Sequence, residues 1–181
     1  MNQPPMLPTN RLILRPFELS DAGDLVPLAG ERAIADTTLN IPHPYEKGMA
    51  ERWIASHQEK FEAGESTVFA VVLRESNQLI GAMGLEIVLG FLRAELGYWI
   101  GKPYWGRGFC TEAGRAVLEY AFTSLSLHRV HSSHFRRNPA SGRVLQKLGM
   151  KHEGCAREHV EKWGVFEDLE LYGMLRDEWV S

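Results

Sequence analysis

Gly106-Arg107-Gly108 is the stretch of this chain whose residue types and spacing point most directly to chemistry. An apolar run over 93–100 ends just before it, and a helix-like run begins just after, near Thr111. At the mouth of a helix several backbone N–H groups lack partners and the helix dipole favours negative charge. Glycines let a ligand approach the backbone closely, and Arg107 adds a fixed cation with a flat fork of donors. The turn therefore suits a phosphate or pyrophosphate. It is not a P-loop, because no Gly-Lys-Ser/Thr ending follows. Nor is it a dinucleotide fingerprint, because Thr111 stands where the third glycine belongs. Taken alone, the segment leaves open a turn whose glycines answer only to steric need.

Other reactive side chains suggest less. His128, His131 and His134 lie three apart on a strand-like run, so neighbours in the series point to opposite faces and the three cannot converge on a metal. No cysteine or carboxylate spacing supports zinc. Cys110 follows the glycine turn without a base beside it in sequence, and a small packed cysteine is the simpler reading. The two cysteines cannot build a disulfide framework, which fits a reducing cytoplasm. A net charge of −3 does not call for nucleic acid or a membrane surface, and no run approaches the ~18 apolar residues of a membrane span.

The elements that position the turn can be read from periodicity. Residues 1–8 read as a loose lead-in, and "RLILRPF" (11–17) as a first strand. Ser20 is a candidate cap for a short helix that Pro27 should end or kink. A second helical piece covers about 31–39, "IPHPY" (41–45) is a rigid loop, and 46–63 is a helix stopped by Gly64. Strands follow at 66–74, 79–89 and 93–100, the last two joined at Gly90, as an antiparallel meander. Strand 93–100, helix 111–124 and strand 128–135 form one βαβ unit, whose strands should run parallel. Asn138 caps a helix that begins with Pro139 and stops at Gly149. A hairpin over about 151–160 and 165–175 turns at "KWG". The sum is α+β, with a mixed, mostly antiparallel sheet and one parallel crossover.

"TNRLILRPFELSDA", "RAELGYWIGKPYWGRGFCTEA", "LHRV" and "NPASGRVLQKLGMKHEG", in this order and spacing, resemble the GNAT superfamily of acyl-CoA-dependent N-acetyltransferases. Together with "REHVEKWGVFEDLELYGML" they are similar to its RimJ/RimL branch, whose named members acetylate N-terminal amino groups of ribosomal proteins. The resemblance runs from about residue 9 to 179, and a single domain over 9–181 is expected. It implies a twisted sheet whose fourth and fifth strands, here 93–100 and 128–135, splay apart to take the pantetheine arm of acetyl-CoA. Backbone groups of Trp99 and Ile100 would meet the arm. The amides of Gly106, Arg107, Gly108, Phe109, Cys110 and Thr111 would seat the pyrophosphate, and Asn138 would bond the pantetheine amide. Two departures stand out. Pro103 occupies a position usually held by Gln or Arg, and Leu145 the position of the usual thiol-protonating tyrosine.

The implied reaction is direct attack of a neutral amine on the thioester. It needs a proton acceptor for the ammonium, a donor for the developing oxyanion and a proton for the departing thiolate. A peptide α-amino group, with a pKa of ~8 against ~10.4 for lysine, demands less help. Glu95 matches the position of a strand-four glutamate used as base by some relatives. Glu86, on the preceding strand, is the second candidate and a candidate substrate contact. A backbone N–H near Ile100 is the natural oxyanion donor. Ser141, one turn before Leu145, resembles the RimL-type acid. His43, Tyr45 and Trp53 are candidate acceptor-lining groups, though the helical spacing of Trp53 with Met49 and Ile54 reads first as core, and Glu158 and Glu161 are candidate carboxylates on the hairpin. The expected partners are acetyl-CoA and an amine, either a protein N-terminus or a small amine such as an amino acid, polyamine or antibiotic. A homodimer is allowed, no metal is called for, and an acyl-CoA sensor without catalysis is the other reading.

Overall fold

The computed structural model describes residues 3–180. Among them, eight strands form one sheet in the order β1-β2-β3-β4-β5-β6-β8-β7. These are β1 (Leu7–Pro8), β2 (Leu12–Arg15), β3 (Ser66–Leu73), β4 (Leu79–Val88), β5 (Arg93–Ile100), β6 (Arg129–Phe135), β7 (Lys151–Lys162) and β8 (Val165–Leu175). Every neighbouring pair is antiparallel except β5–β6. The expected α+β class and single parallel crossover are thus observed. Within the lead-in expected over 1–8, Leu7-Pro8 already pairs with β2, and residues 1–2 lie outside the described residues.

Side-chain alternation divides the core between the two faces of the sheet. On one face Leu12, Leu14, Phe69, Leu85 and Leu96 pack with α4 (Phe109–Glu119) and with Leu145 of α5 (Pro139–Lys147). On the other, Ala70, Val72 and Leu79 pack with α1 (Ala22–Ala29) and α3 (Met49–Glu62). The short α2 (Arg32–Thr37) connects these two helices. Helix α5 forms as its sequence dictates: Asn138 Oδ1 accepts from Ser141 N–H at 3.3 Å, Pro139 opens the first turn, and Gly149 adopts φ +85° just beyond the last turn.

Two expectations change near the start of the chain. Ser20 does not cap α1. Asp21 accepts from Glu18 N–H at 2.8 Å and holds Arg15 through two 2.7 Å bonds. Pro27 does not end α1 either, because the helix continues to Ala29. Pro27 is exposed, while Leu25 and Ala29 on either side of it are buried, and their packing holds the turn against the lost hydrogen bond. The β4–β5 connection is a 3₁₀ turn over Leu89–Phe91, closed by Leu92 at φ +47° rather than by Gly90.

The α3 packing makes a stability prediction. His57 stands edge-on to Trp53 with ring centroids 4.3 Å apart and lies 5.6 Å from Phe17. Neither ring nitrogen has a hydrogen-bond partner, and both are buried. Burial, with a smaller push from Lys60, lowers its pKa from 6.5 to about 4. The unfolded chain therefore takes up this proton first as pH falls, so the stability from neutral His57 is present above pH ~6.5 and is lost toward pH ~4. The loss is at most about 3 kcal/mol. His57→Phe should fill the aromatic pocket and abolish that part of the acid loss. Urea midpoints between pH 7 and 4 should then fall less steeply for the variant, and parallel slopes would refute the assignment.

Candidate active site

Strands β5 and β6 stay paired for only three positions, Arg93↔Arg129, Ala94↔Val130 and Glu95↔His131. Beyond these they part. Ser132 Oγ donates to Leu96 O at 2.8 Å, so a side chain takes the carbonyl where a strand amide would otherwise continue the ladder. The gap opens into a cavity of about 500 Å³ that passes between the two faces of the sheet. Tyr98, Ser132, His134 and Ser141 line its α5 side, and Glu86, Glu95, Trp99, Tyr45 and Trp53 line its α1–α3 side.

Backbone geometry fixes which β5 groups face the gap. Gly101 N–H donates to Ile80 O at 2.8 Å, and Gly81 stands opposite Ile100. Alternation in an antiparallel pair then turns the backbone of Trp99 toward β4 and those of Tyr98 and Ile100 toward the gap. Ile100 thus presents its N–H there as expected, while its carbonyl accepts from the Trp105 indole. Trp99 offers the cavity its side chain instead, and Tyr98 supplies the second set of backbone groups.

The glycine turn lies beyond the end of β5. Gly106 and Gly108 adopt φ +73° and +79°, the left-handed region that favours glycine. The bond from Glu112 N–H to Gly108 O at 3.0 Å is the first of α4, so the N–H groups of Phe109, Cys110 and Thr111 precede the helical ladder and point out of its mouth. Arg11 reinforces this end. It donates to Arg107 O at 3.0 Å, pairs with Glu112 at 2.7 Å and lies 4.5 Å over the Phe109 ring. Alongside runs a groove of about 680 Å³, bounded by Arg11, Gly108, Thr111, Arg115 and Lys147. The exposed amides and the flanking cations fit an anion such as a pyrophosphate.

Residues 11–151 match the family described as Acetyltransferase (GNAT) domain. The chain belongs to the GNAT acetyltransferase family. A probable N-acetyltransferase of Bacillus subtilis, YjcK, is 34% identical over 94% of this chain and 97% of its own. The [ribosomal protein uS5]-alanine N-acetyltransferase of Escherichia coli is 26% identical over 96% of this chain and 92% of its own. Among solved structures, a RimL ribosomal L7/L12 α-N-protein acetyltransferase in complex with coenzyme A superposes with a TM-score of 0.88 over 96% of this chain and 99% of that one, at 17% identity. The mixed sheet with its parted parallel pair is therefore the GNAT fold, and the protein is an N-acetyltransferase of the GNAT type.

Within this GNAT site the structure unites most of the candidate residues. Ser141 lines the cavity, and Asn138, next to it in space, holds the start of α5. Glu86 and Glu95 face each other across β4 and β5. Burial raises the Glu86 pKa; Lys60 opposes this, and Glu95 and Glu65 add to it. Arg93 stacks on Phe91 at 5.2 Å and makes no ion pair with Glu95 among the described residues. His43 is exposed, its Nδ1 3.2 Å from Gly30 O, and does not line the cavity, whereas Tyr45 and Trp53 do. Glu158 and Glu161 are exposed on the hairpin and also lie outside the lining. Burial pushes the Cys110 thiol up to about 12, so it is no ready nucleophile. Among the described residues no helix is long and apolar enough to cross a membrane.

Three contributors were missed in the sequence. Leu145, in the position of the family's tyrosine, is fully buried, and Tyr98 brings a phenol from β5 instead, 2.7 Å from Ser141 Oγ. Strand alternation could have placed Tyr98 opposite Glu95 and Trp99, but not against α5. Arg11 sat inside a quoted motif without a role. Lys162 donates to Leu39 O and Ile41 O at 2.9 and 3.1 Å, tying the β7–β8 hairpin to the loop that lines the cavity between α2 and α3.

Proposed function

We propose that this protein transfers the acetyl group of acetyl-CoA to a primary amine, with the N-terminal amino group of a polypeptide as the acceptor, a reading supported by its likeness to a ribosomal-protein-alanine N-acetyltransferase and a RimL α-N-protein acetyltransferase. The observation that carries the reading is the parted β5–β6 pair. It gives a passage with an anion seat beyond one end, hydroxyls on one face and carboxylates on the other. Acetyl-CoA, when bound, supplies an activated thioester.

The chain's own groups divide the remaining work. The amides at the α4 mouth, with Arg11 and Arg107 beside them, hold the diphosphate. Backbone groups of Tyr98 and Ile100 align the pantetheine arm as a neighbouring strand would, and the Ile100 N–H is the oxyanion donor. Glu86 and Glu95 face the acceptor and accept its ammonium proton, directly or through water. Tyr98 and Ser141 hold a proton on the thiol side.

Thiol release from acetyl-CoA over a panel of amines and short peptides tests the reading, and tight CoA binding with no turnover on any amine would defeat it. The carboxylates predict a pH effect. A general base works above its own pKa, and burial places that of Glu86 above the usual carboxylate range. Without the base, turnover depends on amine that is already neutral, a fraction that grows tenfold per pH unit up to its pKa of ~8. Glu95→Gln and Glu86→Gln should each lower kcat/KM near pH 7 by about tenfold or more and recover much of it near pH 9. If neither profile moves, proton acceptance lies elsewhere.

A further inference from the structure

We infer that the acceptor is a primary amine flanked by an apolar group and free of any neighbouring anion, such as the N-terminus of a peptide with an apolar first residue rather than a free amino acid. The inference rests on the acetyl-transfer reading and deepens it. Because Leu96 and Tyr98 point to the α5 side and Glu95, Gly97 and Trp99 to the other, the cavity has two lobes divided by the sheet. The α1–α3 lobe is where the amine must approach.

Leu25, Ile41, Met49 and Trp53 form its apolar wall. The ionisable groups lining this lobe are Glu86, Glu95 and the Tyr45 phenol, and no lysine or arginine lines it among the described residues. The nearby cations are otherwise engaged or set apart. Lys162 spends its protons on the Leu39 and Ile41 carbonyls, behind the wall. Arg137 pairs with Asp36 and Glu167. Lys60 acts on Glu86 from outside the lining. His131, opposite Glu95 in the register, is held below its ordinary pKa by burial.

An ammonium finds two carboxylates here. A carboxylate two bonds away from it finds no cation and two like charges, an arrangement that enzymes use to reject a wrong partner. The apolar wall rewards a side chain of matching size, in a cavity that must also admit the thioester end.

The test compares leucinamide, glycinamide and leucine as acceptors by thiol release from acetyl-CoA. Leucinamide should exceed leucine in kcat/KM by about a hundredfold, the scale of one unscreened like-charge contact, and glycinamide by about tenfold or more. Leucine within threefold of leucinamide overturns the anion exclusion, and equal rates for the two amides overturn the apolar preference. Calorimetric binding of leucinamide and leucine to the CoA-loaded protein separates this inference from the reading beneath it. If no amine releases thiol, acetyl transfer fails, yet a preference for leucinamide in binding still supports the pocket assignment, and equal or reversed binding overturns it.

Discussion

Gly108→Asp should weaken coenzyme A binding by about a hundredfold while leaving the protein folded. Gly108 is the N-cap of α4 at φ +79° and ψ 1°, a left-handed conformation that Asp and Asn adopt more readily than other side chains. A Cβ built there meets nothing closer than Arg11 Nη2 at 3.6 Å, so the new side chain has room. Its carboxylate would sit at the helix mouth, beside the amides of Phe109, Cys110 and Thr111 and within reach of Arg11. Asp is a favoured N-cap for this electrostatic reason, so the variant supplies its own anion to the seat and repels a second one. A like-charge contact of this kind costs several kcal/mol. Gly108→Asn isolates the charge, since it brings similar backbone strain without the anion and should reduce affinity by less than tenfold. Calorimetry with coenzyme A decides the matter: equal dissociation constants for the Asp and Asn variants, or an unchanged one for Asp, would remove the turn from the site.

That this turn could be read from sequence, while the pairing of Tyr98 with Ser141 could not, has a physical cause. Helix caps and glycine turns are local. Asn138, Pro139 and Gly149 dictate the ends of α5 through bonds within a few residues, and the Gly106-Arg107-Gly108 turn needs only the strand before it and the helix after it. The gap between β5 and β6 is different. Both strands are regular, with polar and apolar residues mixed along each, and nothing in either sequence marks the position where pairing stops. Ser132 sets it by capping the Leu96 carbonyl across 36 residues of sequence. Asp21 illustrates the same limit at shorter range. Ser20 and Asp21 are both good capping residues, yet neither side chain bonds an α1 amide, because the Asp21 carboxylate is taken by Glu18 N–H and by the Arg15 guanidinium that β2 delivers. Arg11 and Lys162 make long-range contacts with carbonyls and carboxylates that leave no periodic trace.

The pairing of Tyr98 with Ser141 carries the second large expectation: loss of either hydroxyl should lower kcat by about a hundredfold with coenzyme A affinity held within threefold. The two oxygens are 2.7 Å apart, and either can donate to the other; the Ser141 carbonyl, 3.2 Å from the phenol, is the alternative acceptor for its one proton. Burial, reinforced by Cys110 and opposed by the Ser141 bond, holds the phenol well above its usual range. Tyr98 therefore stays a neutral phenol around neutral pH, and Ser141, as it gives its proton to the departing sulfur, takes one from Tyr98, which solvent restores once CoA has left. A positioned acid of this kind contributes on the order of 10²–10⁴ in rate. If the hydroxyls act as one relay, Tyr98→Phe, Ser141→Ala and the double variant should have nearly equal kcat, because breaking a chain twice does no more than breaking it once. Independent roles would instead multiply the losses. A merely structural pair behaves differently again. Each removal would cost about 1 kcal/mol of stability, visible in thermal unfolding, and kcat would stay within a few-fold of the parent. Single-turnover measurements at saturating acetyl-CoA separate these cases, since they report the chemical step without product release. Unaltered single-turnover rates in both single variants would leave Tyr98 and Ser141 a structural hydrogen-bonded pair and thiolate protonation to solvent.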